Sequence, residues 1–422
     1  MRVLLLAPPL AKAGGIQRYT FTLARALKDV LGESAVRIVM LEEDSSRSNT
    51  QLSGVSKWRF GCRVLWETVQ WRSDLVICMH LALGPVGYFV AGIGRQPYWV
   101  VVHGIEAWVP LPFAKRFALR RANRLIATTT FNRETVMKKH QIKADHFVNL
   151  PCTVNESLTA VEPANKGPHK FLSHDQCVIL TVARMAAAEQ YKGQDAVLRA
   201  LPSVLLRVPN LIYVMAGDGD DRPRIEALVE KLGLRSHVMF TGTVTDQELA
   251  ALYHRCDVFA LPARTVITDR EAKGEGFGIV FLEAMAFGKP VIGPNDGAPA
   301  EILRHGQHGL LVDPNHPAAI AEALVELLTN PNKSHAMGQA GKDWVHENYS
   351  YGRFRERVRD ILADNREVHG AEKTLPNPSR KKTIAVALLE GVFTLWVIAV
   401  NYLYFLQYKS LLVARFAHLL HR

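Results

Sequence analysis

Short apolar runs alternate with helical patterns from the first residues. Val3–Leu6, Val36–Met40, Leu75–Met79, Trp99–Val102 and Arg124–Thr128 read as strands, and Tyr19–Leu31 has helical periodicity. Apolar strands separated by helices describe a parallel sheet covered on both faces. A second series starts at Cys177–Val182. It continues through Leu211–Ala216, Val238–Phe240, Val258–Leu261, Pro290–Ile292 and Gly309–Val312. Gly288 stops one helix just before the strand around Val291. Between the two series, Glu162–His174 holds two prolines, a glycine and few large apolar residues, so it marks the boundary. The pattern predicts an α/β chain of two Rossmann-like domains, residues 1–165 and 175–345, facing a cleft. In open parallel sheets ligands bind beyond the carboxyl ends of the strands, so the loops there carry the candidate chemistry.

The end of the chain changes character. Trp344–Leu362 is a polar, Arg-rich helical stretch, and 346–365 is expected to return to the first domain. Residues 366–383 read as a linker with Pro376, Pro378 and the basic cluster Arg380-Lys381-Lys382. Residues 384–422 read as an apolar, basic, membrane-associating helical tail. Ile384–Leu406 is 23 residues long and contains 13 Leu, Ile, Val or Phe. At ~0.3–0.6 kcal/mol each these favour insertion by roughly 4–8 kcal/mol. Glu390 opposes insertion by at most ~2.5–3.5 kcal/mol. Basic residues flank the run on both sides, with Lys409, Arg415 and Arg422 beyond it. A spanning helix, a helix lying on the surface and a helix packed across the domains all fit this pattern.

Composition narrows the class. Of 422 residues, 48% are hydrophobic and 22% charged, which excludes a mainly disordered or fibrous chain. Only one stretch resembles a span, which excludes a polytopic membrane protein. The 51 Lys and Arg against 40 Asp and Glu leave a net charge of +11 and favour an anionic partner: nucleic acid, acidic lipid or a phosphorylated substrate. One basic cluster, Lys115, Arg116, Arg120, Arg121 and Arg124, reads as a single helical stretch with Phe113 and Phe117 interleaved. A solvated basic face and an anionic membrane surface are both compatible with it. Five scattered cysteines without a CxxC pair indicate neither a zinc site nor a disulfide framework; Cys78 and Cys177 read as small core residues. The N-terminal apolar run is too short for a signal peptide and is followed by Gly14-Gly15, so it reads as a first strand.

The most informative loop is Gly274-Glu275-Gly276-Phe277-Gly278, opening a helix through Glu283. Free N–H groups and the positive end of a helix suit a diphosphate. Glu283 lies seven residues after Gly276, nearly two turns, and apolar neighbours make it a buried carboxylate in need of a partner. Arg184 and Lys192 follow the first strand of the second series, where two cations neutralise a leaving diphosphate or form an ordinary surface pair. Gly14-Gly15 follows the first strand, and His103-Gly104 ends the strand Trp99–Val102. That His either bonds a substrate hydroxyl or is a satisfied structural residue. Gly217-Asp218-Gly219-Asp220-Asp221 contains an Asp-x-Asp, read here as a turn with helix-capping aspartates rather than a metal site.

In order and spacing these pieces resemble the retaining glycosyltransferases of family 4, with the GT-B fold. The resemblance covers residues 1–362 approximately and rests on Glu275 and Glu283 within Glu-Gly-Phe-Gly-Ile-Val-Phe-Leu-Glu. Around that pair stand Gly14-Gly15-Ile16, His103-Gly104, Arg184 with Lys192-Gly193, Ala216-Gly217-Asp218-Gly219 and Phe240-Thr241-Gly242. It implies that Arg184 and Lys192 are diphosphate ligands, Glu283 a ribose ligand, and Glu275 with the backbone of Gly276, Phe277 and Gly278 the sugar and phosphate contacts. His103 becomes a donor-sugar contact, and Val244 lies beside the base. Gly14, Gly15 and Gly217 join them on the donor side. The implied reaction is a metal-independent, retaining transfer from a UDP- or GDP-hexose to a lipid-linked or polysaccharide acceptor, with no cofactor. No nucleic-acid partner is expected, and Arg380-Lys381-Lys382 just before the apolar run favours work at the cytoplasmic face of a membrane, attached by the tail. A nucleotide-sugar-binding scaffold and a sugar-nucleotide epimerase are the competing readings. The Arg184–Lys192 spacing and the long, charged loop Ala263–Lys273 depart from the family's usual form.

Overall fold

The computed structural model describes residues 1–9, 14–41, 54–162, 170 and 172–372, with the side chains of 54–58 and 365–372 left aside. The first sheet is formed by β1 (Val3–Ala7), β2 (Val36–Met40), β3 (Leu75–Cys78), β4 (Tyr98–Val102), β5 (Arg124–Ala127) and β6 (Phe147–Asn149). Its order is β2-β1-β3-β4-β5-β6, parallel throughout. The helices of this half are α1 (Gly15–Leu31), α2 (Gly54–Trp71), α3 (Gly84–Gly94), α4 (Phe113–Arg121), α5 (Thr130–His140) and α6 (Glu156–Ala160).

The second sheet uses β7 (Cys177–Val182), β8 (Leu211–Ala216), β9 (Val238–Gly242) and β10 (Val258–Ala260). A small hairpin, β11 (Val266–Ile267) and β12 (Ala272–Lys273), intervenes before β13 (Val291–Pro294) and β14 (Gly309–Val312). The sheet order is β14-β13-β10-β7-β8-β9, again parallel. Its helices are α7 (Gln194–Leu205), α8 (Arg222–Lys231), α9 (Asp246–Arg255), α10 (Ile279–Ala286), α11 (Pro299–Ile302), α12 (Pro317–Thr329), α13 (Pro331–Tyr349) and α14 (Tyr351–Glu372). The fold is two parallel α/β sheets, one in each lobe.

Burial explains the apolar runs: every residue of β1, β3 and β4 is buried, because helices cover both faces. One apolar cluster joins the lobes. It runs from Leu5, Ile77 and Val101 through Leu150 and Val154 to Leu180, Phe259 and Leu282, and takes in Phe354, Val358 and Leu362 of α14. Helix α14 lies on α1, Tyr351 donates its hydroxyl to Asp29 at 2.5 Å, and Arg124 pairs with Asp364 at 2.5 Å.

Several sequence expectations change. The stretch Trp344–Leu362 is two helices broken at Ser350, and the second runs to Glu372, past the start expected for the linker. The loop Ala263–Lys273 is a hairpin whose turn is closed by Thr268 accepting from the Glu271 N–H at 2.9 Å. The basic cluster is not one helix: α4 ends at Arg121, and Arg124 opens β5. Of the four basic residues of α4, Arg120 donates to the His140 carbonyl at 3.0 Å; the other three are Lys115, Arg116 and Arg121. Cys177 is only half-buried, unlike Cys78. The segment Ile384–Leu406 lies outside the described residues, as does most of the expected boundary between the lobes. Among the described residues no helix is long and apolar enough to cross a membrane.

Candidate active site

The carboxyl ends of both sheets converge where β1 and β3, and β7 and β10, sit at the switch in strand order. From the second lobe comes the loop before α10. Gly278 has φ +98°, and its freedom lets the chain turn into the helix at Ile279. Glu283 therefore stands one turn inside α10 rather than two turns from Gly276. In the first turn of α10 the Phe281 N–H donates to the Gly278 carbonyl at 3.0 Å, which leaves the Ile279 and Val280 N–H groups without a partner within the helix.

Lys192 and Glu275 meet within the second lobe, Nζ to Oε1 at 2.8 Å, with side-chain exposures of 14% and 15%. Glu189 stands 3.5 Å from the same Nζ and also pairs with Arg184. Burial pushes the Lys192 ammonium down, but the Glu275 and Glu189 carboxylates outweigh it, and its pKa stands above the usual lysine value. The unusual length between Arg184 and Lys192 is thus a short helical turn, Ala187–Lys192, that brings in Glu189. Arg184 is brought to the mouth of the site rather than into it, with its side chain 74% exposed.

Glu283 has different surroundings. Its side chain is 2% exposed, Tyr253 donates to Oε2 at 3.0 Å, and Arg18 of the first lobe pairs with Oε1. Burial raises the carboxyl above its usual range, and Arg18 and Tyr253 offset part of that. Burial also raises the Tyr253 hydroxyl well above the ordinary value, so it stays a donor.

The first lobe contributes His103 at the end of β4. Its Nε2 lies 2.8 Å from the Met79 carbonyl, its backbone N–H donates to Glu106 at 2.6 Å, and its ring meets Tyr19 edge-on at 5.4 Å. Burial lowers its pKa to about 4, the Met79 carbonyl opposing this. The neutral ring donates from Nε2 and keeps Nδ1 as an acceptor. Gly15 packs against Ile279 of α10, so α1 and α10 begin side by side. Gly217 has φ +135°, and a Cβ there would collide with the Ala183 carbonyl. Phe277 is buried with its ring against Tyr349 at 6.1 Å, so only its backbone is offered to the cleft. Val244 is half-buried at the end of β9.

The aspartate turn is corrected in detail. Asp218 accepts from the Gly219 N–H, Asp220 from the Ala187 N–H, and Asp221 from Gln190 and Arg224. None caps α8 with its side chain. Among the described residues no cluster of His, Cys, Asp and Glu has the arrangement of a metal site.

Residues 168–344 match the family model of glycosyl transferases group 1. A GDP-mannose-dependent alpha-(1-6)-phosphatidylinositol monomannoside mannosyltransferase of Mycolicibacterium smegmatis is 32% identical over 295 residues, covering 68% of this chain and 76% of that protein. The chain is a group 1 glycosyltransferase. The Mycobacterium tuberculosis protein of the same name is 38% identical over 266 residues, covering 62% of this glycosyltransferase and 68% of its relative. Among solved structures, Anabaena HepE in complex with UDP and glucose aligns with a TM-score of 0.68 at 17% identity, covering 86% of this chain and 100% of that one. Sucrose-phosphate synthase from Thermosynechococcus elongatus aligns with a TM-score of 0.70 at 20% identity, covering 88% and 100%. At these identities the likeness is one of fold, and both are two-lobed neighbours of this glycosyltransferase.

Sequence reasoning did not single out Arg18, Asn132, Tyr253 or Glu301. Glu301 accepts from the Thr130 N–H at 2.8 Å and from the Phe131 N–H, across the lobes. Arg18 carried one signal, its place one turn after Gly14-Gly15. The others had none, because their partners are remote in sequence.

Proposed function

We propose that this glycosyltransferase moves a hexose, with retention at the anomeric carbon and without a metal, from a nucleoside-diphosphate sugar to a lipid-linked or polysaccharide acceptor of cell-envelope or exopolysaccharide synthesis. GDP-mannose is the first donor to test, because the similar mycobacterial proteins are named for it and for a phosphatidylinositol mannoside. The observation that carries the reading is the pair Lys192–Glu275 at 2.8 Å beside the start of α10, with Glu283 one turn inside it.

The anomeric C–O bond to the diphosphate breaks, and its electron pair stays on the leaving phosphate oxygen. Lys192, the Ile279 and Val280 N–H groups at the start of α10 and Arg184 swinging in from the mouth stabilise that charge as it develops. The acceptor oxygen bonds to the same face of the anomeric carbon, and its proton passes to the leaving phosphate. Neutral His103 accepts a hydrogen bond from a sugar hydroxyl at Nδ1, and Glu283 accepts from the ribose hydroxyls. The aspartates of the 218–221 turn are committed to the Gly219 and Ala187 N–H groups and to Arg224, which favours charge neutralisation by cations of the chain.

The reading extends to location: the cytoplasmic face of a membrane, held by the tail 384–422. Phe113, 51% exposed and stacked on Phe117 at 6.0 Å, with Lys115, Arg116 and Arg121, supports a contact of α4 with anionic lipid.

The test is a thermal-shift panel of UDP-, GDP- and ADP-sugars, followed by assignment of the product's anomeric configuration with excess chelator present. A donor at 100 times its Kd stabilises the fold by about 2.7 kcal/mol. An inverted product or a chelator-sensitive rate contradicts the mechanism.

A further inference from the structure

Asn132 stands at the second residue after the start of α5 and is fully buried. Its amide nitrogen touches three oxygens: Gly276 carbonyl at 2.7 Å, Thr128 Oγ1 at 2.8 Å and His103 carbonyl at 3.0 Å. Its amide oxygen accepts from the Trp108 indole N–H at 3.2 Å, which fixes which end of the amide faces the two carbonyls. Gly276 belongs to the donor loop of the second lobe, and His103 to the first.

The backbones of the two turns meet here. A Cβ on Gly276 would collide with the His103 carbonyl oxygen. A Cβ on Gly104, where φ is +145°, would crowd Gly276 Cα at 3.0 Å, Trp108 at 3.1 Å and Asn132 Oδ1 at 3.2 Å. Two carbonyl oxygens directed into one dry space repel each other unless a donor stands between them. The Asn132 amide is that donor.

We propose that Asn132 is a positioning residue for glycosyl transfer: its amide ties the His103 carbonyl of one lobe to the Gly276 carbonyl of the other, setting the donor loop against His103 when the lobes close. The inference rests on the transfer reading given above. Asn132 acts through the loop and does not touch the donor. Its loss therefore shows in turnover more than in binding of the nucleotide, because Lys192 and Glu275 are held by their own lobe.

The experiment uses the full chain, with turnover of the preferred donor measured alongside GDP or UDP titration. Asn132→Ala is expected to lower kcat ~10–100-fold, the scale of an ångström-sized misplacement. Nucleotide Kd is expected to move less than about threefold. Asn132→Asp keeps shape but turns an oxygen toward the two carbonyls. Its kcat is expected to be low at about pH 8 and to recover in part toward about pH 5.5, as the introduced carboxyl takes up a proton and donates it. The wild type shows no such recovery. A kcat within about threefold of wild type for either variant overturns the inference. So does an equal loss of kcat and nucleotide affinity without acid recovery in Asn132→Asp, which also decides the matter if Asn132→Ala does not fold. Wild-type chain inactive on every donor overturns the transfer reading and this inference with it. Wild-type activity with unaffected variants overturns this inference alone.

Discussion

Glu275 and Glu283 belong to one loop and helix, yet they meet opposite surroundings. Glu275 is paired inside its lobe with Lys192, near enough to the surface for water to reach the pair. Glu283 is buried and paired across the lobes with Arg18, whose side chain is 40% exposed. The first pair is a finished part of the second lobe and exists whatever the first lobe does. The second exists only where α1 lies against α10. On the proposed reading the ribose hydroxyls take over from Arg18 at Glu283, so nucleotide binding exchanges an ion pair across the lobes for contacts to the donor.

The contrast can be broken most sharply at the first pair. Lys192→Ala is expected to reduce kcat/KM by ~10²–10³, about 2.7–4 kcal/mol of transition-state stabilisation. The melting temperature should fall modestly with the fold retained, because Glu275 and Glu189 lose the cation they share while Arg184 still pairs with Glu189. Steady-state kinetics beside calorimetry checks both halves.

His103 sharpens the comparison from the first lobe. With its pKa lowered to about 4 by burial, the folded chain leaves this ring neutral while the unfolded chain protonates it. Its contribution to stability is therefore present above about pH 6.5 and is lost as the pH falls through about 4. Across that window the loss amounts to at most about 3–4 kcal/mol. His103→Asn should flatten this part of the denaturation profile. An unchanged acid slope in the variant contradicts the assignment.

At the second pair the two partners are not equivalent. Arg18→Ala leaves a buried carboxylate with Tyr253 alone and should cost about 1–3 kcal/mol in denaturant unfolding. Glu283→Gln leaves a half-exposed guanidinium that water can serve, so its unfolding cost is smaller while its donor affinity falls. Equal stability losses for the two would remove the distinction drawn here.

The smallest effect is at the surface. Replacing Lys115 and Arg116 with serine should weaken binding to anionic vesicles by about 1 kcal/mol per charge, without changing turnover of a water-soluble acceptor. Equal binding of wild type to neutral and anionic vesicles contradicts a lipid contact at α4.

The same contrast explains what could be read from the sequence. Strands such as β1 and β4 are legible because both faces are buried and every position is apolar. β6 has three residues at a sheet edge, and β11 and β12 have two each in an exposed hairpin, so they carry no periodic signal. In the site, Lys192 and Glu275 stand beside glycines in loops and Glu283 in the helix that the glycine-rich loop opens, so all three could be picked out. Arg18 and Asn132 could not, because their partners lie 265 and 144 positions away and only the packing of two lobes joins them. Arg184 was legible as a cation at a strand end, but not its exposure, which follows from the turn that inserts Glu189.

On the proposed reading, this cleft transfers a sugar from a nucleoside diphosphate through Lys192 and Glu283. The most direct measurement is transfer of labelled mannose from GDP-mannose to phosphatidylinositol mannoside acceptors, with wild type, Lys192→Ala and Glu283→Gln side by side and UDP- and ADP-sugars as parallel donors. The wild type is expected to transfer from one nucleotide class, and both variants to be folded and nearly inactive. Transfer by either variant at the wild-type rate, or none by the wild type from any donor, would contradict that reading.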